Sequence, residues 1–198
     1  MYTSAANLKI YLGITETTDD ALLGTLVTAA QAIVDTYCGQ TFEASADTTR
    51  YFYANSIDYG GHVDGRDLIL DAPLCAITSV TNGDGVVVSA SDYITEPRNA
   101  TPYYALRLKN SSNLYWTYDD DMETDTIAVV GKWAYSIAAP ADIAHATLRL
   151  AAYLYRQKDN QSGDLDRAIN LGGGAMMMPA QLPSDIKTLL APYRRLVI

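Results

Sequence analysis

This sequence has almost no histidine, and cysteine, phenylalanine and tryptophan are equally rare, with two residues of each. The histidine shortage removes the usual acid–base side chain of enzymes that work near neutral pH. His62 stands in a glycine-rich stretch and His145 in the middle of a helical pattern, and both read as surface or packing residues. No Ser/His/Asp or Cys/His arrangement appears in local context. Cys38 follows Tyr37, and Cys75 sits between Leu74 and Ala76. Such neighbours fit buried free thiols in a reducing compartment better than a disulfide. Basic residues are short too: 14 Lys and Arg against 23 Asp and Glu, a net charge of −9. That balance argues against a general nucleic-acid coat, which needs a basic stripe. It fits ordinary solubility, and equally a wall past which DNA slides without sticking. Apolar runs are too short to span a bilayer. Met1 is followed at once by helix-forming sequence, with no basic or apolar leader region, so no secretory signal is expected. Gly172-Gly173-Gly174 lacks the Lys-Ser/Thr and the strand-to-helix frame of a phosphate loop, and reads as a hinge.

The chain does have apolar content. It is 48% hydrophobic with 19% charged residues, enough for a core in one domain or one domain with a large insertion. It is also rich in tyrosine, with 15. An apolar ring with a wet tip suits half-exposed contact surfaces, or strands with one solvated face.

The dominant segment runs from Thr17 to Gly39. Leu22, Leu23, Leu26, Val27, Ala30, Ile33, Val34 and Tyr37 recur at helical spacing, which predicts one long amphipathic helix. Thr17 or Thr18 can cap it, Asp19 and Asp20 suit its positive end, and Gly39 can end it. A shorter helix is expected over Thr3 to Gly13, another from Pro140 to Lys158, and a last one after Leu182-Pro183 with Ile186, Leu189 and Leu190 on one face. Between them the pattern changes. Thr48–Tyr53, Asp67–Leu70, Ala76–Thr81, Val86–Ser89, Asp92–Thr95, Tyr104–Lys109 and Thr126–Trp133 read as strands, with Asn82-Gly83-Asp84-Gly85 as a turn. The expected fold is therefore α+β, mainly α: a four-helix bundle with an inserted small antiparallel β-region. The expected division is 1–43 for the N-terminal helix pair, 44–134 for the inserted β-region, and 135–198 for the C-terminal helices with a flexible loop at 160–181.

Two clusters invite a chemical reading. Asp119, Asp120, Asp121, Glu123 and Asp125 could hold a hard cation through oxygen ligands, as in a metal-binding protein or hydrolase. They lack the glycine and spacing of a calcium-binding hand motif, so a solvated turn is favoured. Met176, Met177 and Met178, flanked by Gly and Pro, suit an adaptable partner contact. No catalytic residue, metal site or cofactor is expected.

Several segments, in order, resemble a known family. Leu8-Lys9-Ile10-Tyr11-Leu12-Gly13-Ile14, Thr18-Asp19-Asp20-Ala21-Leu22-Leu23 and Ile33-Val34-Asp35-Thr36-Tyr37-Cys38-Gly39-Gln40-Thr41-Phe42 look like the N-terminal half of tailed-bacteriophage head–tail connector proteins, also called adaptor or head-completion proteins. Gln40 stands where the family usually has Arg. The likeness continues through Leu68-Ile69-Leu70, Pro73-Leu74, Ile77-Thr78-Ser79-Val80, Pro140-Ala141-Asp142-Ile143 and Ala151–Arg156, and closes on Leu182-Pro183 and Leu189–Arg195. Residues 44–66 and 90–125 match nothing in it. The resemblance implies a virion structural protein without catalytic residues. It implies a homo-oligomeric ring, usually of twelve subunits, docked under the portal, extending the DNA channel and offering a platform for stopper or tail-completion proteins. DNA would pass without specific binding, and no membrane is involved. The location implied is the portal vertex of the virion, after synthesis in the host bacterial cytoplasm. The C-terminal segment would reach the portal, which makes Tyr193, Arg194 and Arg195 candidates for that contact. Thr25, Thr28, Gln31 and Asp35 form a mostly uncharged face of the long helix and are candidates, with the methionine triplet, for subunit or tail contacts.

Overall fold

A computed structural model of the 198-residue chain describes residues 1–55, 57, 60–117, 126–157, 170, 171, 174, 175 and 182–195. The described chain divides into two compact units. One is helical and discontinuous, residues 1–39 with 140–198; the other is continuous, residues 40–139.

The helical unit holds α1 (Ala5–Leu12), α2 (Asp20–Cys38), α3 (Ala141–Gln157) and α4 (Ser184–Leu190). Ser4 caps α1 through its side chain, which accepts the Asn7 amide hydrogen. Gly13 and Gly39 end α1 and α2 in the left-handed conformation, at φ 71° and 66°, where a Cβ would be strained. Thr17 and Thr18 do not cap α2. Its cap is Asp19, which makes no side-chain cap bond; its carboxylate accepts instead from the Tyr155 hydroxyl on α3 at 2.5 Å. α2 and α3 pack along each other, α1 lies against both, and α4 lies against α3. The buried positions are Leu8 on α1, Leu23, Val27, Ala30, Val34 and Cys38 on α2, Ile143, Ala146, Thr147, Leu150, Ala151 and Ala152 on α3, and Ile186 and Leu190 on α4. A further pair of two-residue strands, β8 (Asn170–Leu171) and β9 (Gly174–Ala175), is antiparallel.

The continuous unit holds two antiparallel sheets built from β1 (Thr48–Tyr53), β2 (Val63–Asp64), β3 (Asp67–Leu74), β4 (Ala76–Thr81), β5 (Tyr93–Glu96), β6 (Tyr103–Leu108) and β7 (Thr126–Lys132). One sheet has the order β1-β7-β4 and the other β2-β3-β6-β5. Alternate residues point inward, so Phe52, Ile127, Val129 and Val80 from the first sheet join Leu68, Leu70, Leu106 and Leu108 from the second in one core. Trp116 and Trp133 complete it, and each donates its indole N–H to a backbone carbonyl, Arg66 and Thr48 respectively. β3 runs through Pro73 rather than stopping before it. The register shift between Ile69 and Leu74 frees the proline from the ladder. Val86–Ser89 forms no strand and contributes a single bridge, Thr81 to Val87.

This architecture overturns the expected four-helix bundle. α1 has 8 residues and α4 has 7, against 19 and 17 in α2 and α3. At 1.5 Å per residue the short pair covers less than half the length of the long pair, so there is no four-helix core. The fold is not mainly α either, since half of the chain builds the unit that holds the two sheets and their seven strands.

Candidate functional site

Two of the C-terminal candidates, Arg194 and Arg195, meet the end of α2. That helix has no basic residue in its last turn, so its negative end is open to cations from elsewhere. Arg194 supplies one, its guanidinium lying 5.3 Å above the Tyr37 ring. The Arg195 amide hydrogen is donated to the Cys38 carbonyl at 2.8 Å, satisfying one of the helix's terminal acceptors. Tyr193 donates its hydroxyl to Asp142 in the first turn of α3 at 3.2 Å. Burial pushes the Cys38 thiol up to about 11, Asp35 adds to the rise, and Arg194 opposes it. Leu196, Val197 and Ile198 lie outside the described residues.

The polar candidates on α2 separate into two groups. Thr25 and Thr28 are exposed, and their hydroxyls donate back to the Ala21 and Gly24 carbonyls, leaving the methyls outward. Gln31 and Asp35 are already engaged: Gln31 accepts the Tyr2 amide hydrogen at 3.3 Å and Asp35 the Tyr2 hydroxyl at 2.5 Å. Burial raises the Asp35 pKa, and the bond from Tyr2 opposes that rise. The buried stripe of α2 is rotated from the expected one, so Leu22 and Ile33 are exposed. With Thr25, Ala29, Ala32 and Thr36 they form an uncharged outward face. By length and composition alone α2 is apolar enough to cross a membrane, contrary to the expectation that no run is long enough. Its opposite stripe is buried in the helical unit.

The β1-β7-β4 sheet also has an uncharged outward face. Its rows, read across the strands, are Tyr53–Thr126, Tyr51–Ala128–Thr81–Val87 and Thr49–Val130–Ser79. Tyr51, Tyr53 and Val87 are 66%, 60% and 67% exposed. Lys132 and Asp47 stand at one margin. The outward face of the other sheet is charged: Arg107 pairs bidentately with Asp67 at 2.6 and 2.7 Å and lies 3.8 Å from Glu96.

Two polar residues outside the sequence-based site candidates, Arg66 and Asn82, organise the segment before the acidic run. Arg66 donates to the Leu108 and Lys109 carbonyls and covers the Tyr115 ring at 5.2 Å. Asn82, 6% exposed, donates to the Tyr115 carbonyl and the Thr117 hydroxyl and accepts the Thr117 amide hydrogen. Only the Asn-Gly turn signal marked Asn82; nothing local marked Arg66.

His62 lies between Phe52 and Tyr53, and His145 is exposed on α3. Among the described residues no three His, Cys, Asp or Glu groups converge as a metal site. An open cleft of about 450 Å³ is lined by Tyr93, Tyr103, Arg98 and Ile77. Asp119–Asp125 and Met176–Met178 lie outside the described residues. Cys38 and Cys75 are both free and buried.

The family model described as "Head completion protein" matches residues 2–196. The chain belongs to that family. This head completion protein thus has a structural role in the head–tail region of a virion, as its sequence resemblance implied. No curated relative matches its sequence. Solved structures that share the fold include three from gene transfer agent particles. A chain in the neck of an empty gene transfer agent particle computed with C6 symmetry is 15% identical at a TM-score of 0.56, covering 98% of this chain and 90% of that one. A chain in the neck of the native particle computed with C12 symmetry is 17% identical at 0.56, covering 98% and 89%. A chain in the virion of the native gene transfer agent is 18% identical at 0.55, covering 98% and 90%.

Proposed function

We propose that this head completion protein is a ring-forming adaptor that docks on the portal, extends the DNA channel and carries stopper or tail-completion proteins. The observation that carries the reading is the family match over residues 2–196. A twelve-subunit ring is the favoured number, supported by the C12 symmetry of the neck that holds a similar chain. The reading needs no enzyme activity, cofactor, metal or membrane, and its site of action is the portal vertex after synthesis in the host cytoplasm.

Charge supports the channel role. The continuous unit carries 14 acids against 6 bases, so it holds −8 of the chain's net −9. Acids facing the lumen repel DNA phosphates, so DNA slides without being trapped. Tyr193, Arg194 and Arg195 are the proposed portal contacts, since a guanidinium fork holds carboxylates bidentately. Met176–Met178, Thr25 and Thr28 are proposed for subunit or tail contacts, with Gln31 and Asp35 acting through Tyr2. Electron microscopy of the portal–tail junction is the test. Density at that junction shaped as a ring of this chain is the expected result; density that cannot hold it would end the proposal.

A further inference from the structure

We infer that the outward face of α2 in one subunit docks on the outward face of the β1-β7-β4 sheet in the next subunit; this rests on the ring reading above. A ring contact is heterologous, so each subunit presents two different patches that fit each other. Both of these faces are exposed and extended, and apart from Lys132 and Asp47 at one margin of the sheet they are free of charge. On α2, Leu22, Ala29 and Ile33 stand among threonine methyls whose hydroxyls are satisfied by the helix itself. On the sheet, Tyr51, Tyr53 and Val87 stand proud of Ala128 and Val130.

Electrostatics makes a second copy the occupant. The continuous unit is strongly acidic, and like copies repel wherever carboxylates face each other. The other exposed sheet face carries Asp67, Glu96 and Arg107. Joining the two uncharged faces buries no unpaired ion. The lengths match as well. α2 is about 28 Å long, and the sheet face is about 15 by 20 Å, so the helix crosses the whole sheet. Each face offers roughly 300 Å², and the pair buries roughly half of the 1,200 Å² that a stable two-body interface needs. Such a contact holds subunits in a closed ring on a platform and leaves dilute chains apart.

The test uses the full-length chain in rings, formed from concentrated protein or recovered from virion necks. Chains carrying Tyr51→Cys together with Leu22→Cys, Ala29→Cys or Ile33→Cys are oxidised and run under denaturing conditions. At least one pairing should give a ladder of linked subunits that neither single variant gives. Ala29→Glu and Tyr51→Glu, both at exposed positions, should each raise the concentration for half-assembly about tenfold or more, with unchanged melting temperature. Tyr51→Lys combined with Ala29→Glu should restore assembly. Rings that form with every Glu variant and give no ladder overturn the pairing and leave the ring reading intact. Wild-type chains that form no ring, alone or in necks, overturn the ring reading and the pairing with it. Flotation with phosphatidylcholine vesicles that Ala29→Glu abolishes also overturns it, because the α2 face would then serve lipid.

Discussion

Asp35 is pulled two ways, by burial that favours the neutral acid and by the Tyr2 hydroxyl that favours the anion. Burial is the larger effect, so the folded-state pKa lies above the unfolded one. The stability this confers is complete below the unfolded pKa and is lost as pH rises through the folded one. Asp35→Asn should therefore be at least as stable as the native chain at pH 7, with the difference vanishing in acid; thermal melts from pH 3 to 8 check it. A variant clearly weaker at pH 7 would show that the Tyr2 bond outweighs burial. Asn82 is a simpler case. Asn82→Ala abandons two donors' worth of bonding to residues 115–117, and should cost about 1–3 kcal/mol in denaturant unfolding. Gly131 is fixed by contact: a Cβ there would lie 2.2 Å from the Ala76 carbonyl oxygen. Gly131→Ala should lose about 1–3 kcal/mol, read as a lower unfolding midpoint.

At the scale of elements, the return of the chain onto α2 is the contact most open to test. Arg194→Ala removes a ring–cation contact and a favourable charge at the helix end, and should cost about 0.5–1 kcal/mol. Much of the element list was legible because its signals are local. Gly13 and Gly39 mark helix ends, and Thr48–Tyr53 is rich in β-branched and aromatic residues. The architecture was not, because a helical period says that a stripe needs cover and not how long the covering element is. The rotation of the α2 stripe escaped for a related reason. α2 has apolar residues on most of its circumference, and only packing chooses Val27 and Val34 over Leu22 and Ile33 for burial. The cap at Asp19 depended on Tyr155, far away in sequence. Of the candidate site, Arg194 and Arg195 were readable as a charged tail, whereas Arg66 depends on carbonyls that only the folded β6 end presents.

The whole chain carries its charge unevenly, and the lumen of a ring should show it. A map of the assembled ring should place acids of the continuous unit toward the channel; a basic lumen would remove this explanation of the net charge. Isolated full-length chain should sediment as a monomer at low micromolar concentration. The continuous unit also closes on itself: the Tyr135 amide hydrogen is donated to the Thr41 carbonyl, that of Ala44 to the Ser136 carbonyl, and the Ser136 hydroxyl to the Phe42 carbonyl. Its two ends are thus fastened side by side, while the helical unit is split by the 100 residues between 39 and 140. On the ribosome this sets an order of events. The β-ladders of residues 40–139 pair strands from that stretch alone, whereas α2 must wait for α3 to be synthesised. Nascent chains stalled soon after residue 139 clears the exit tunnel should already protect the β-strands from protease and leave α2 open to cleavage, a window in which its apolar surface is available to chaperones.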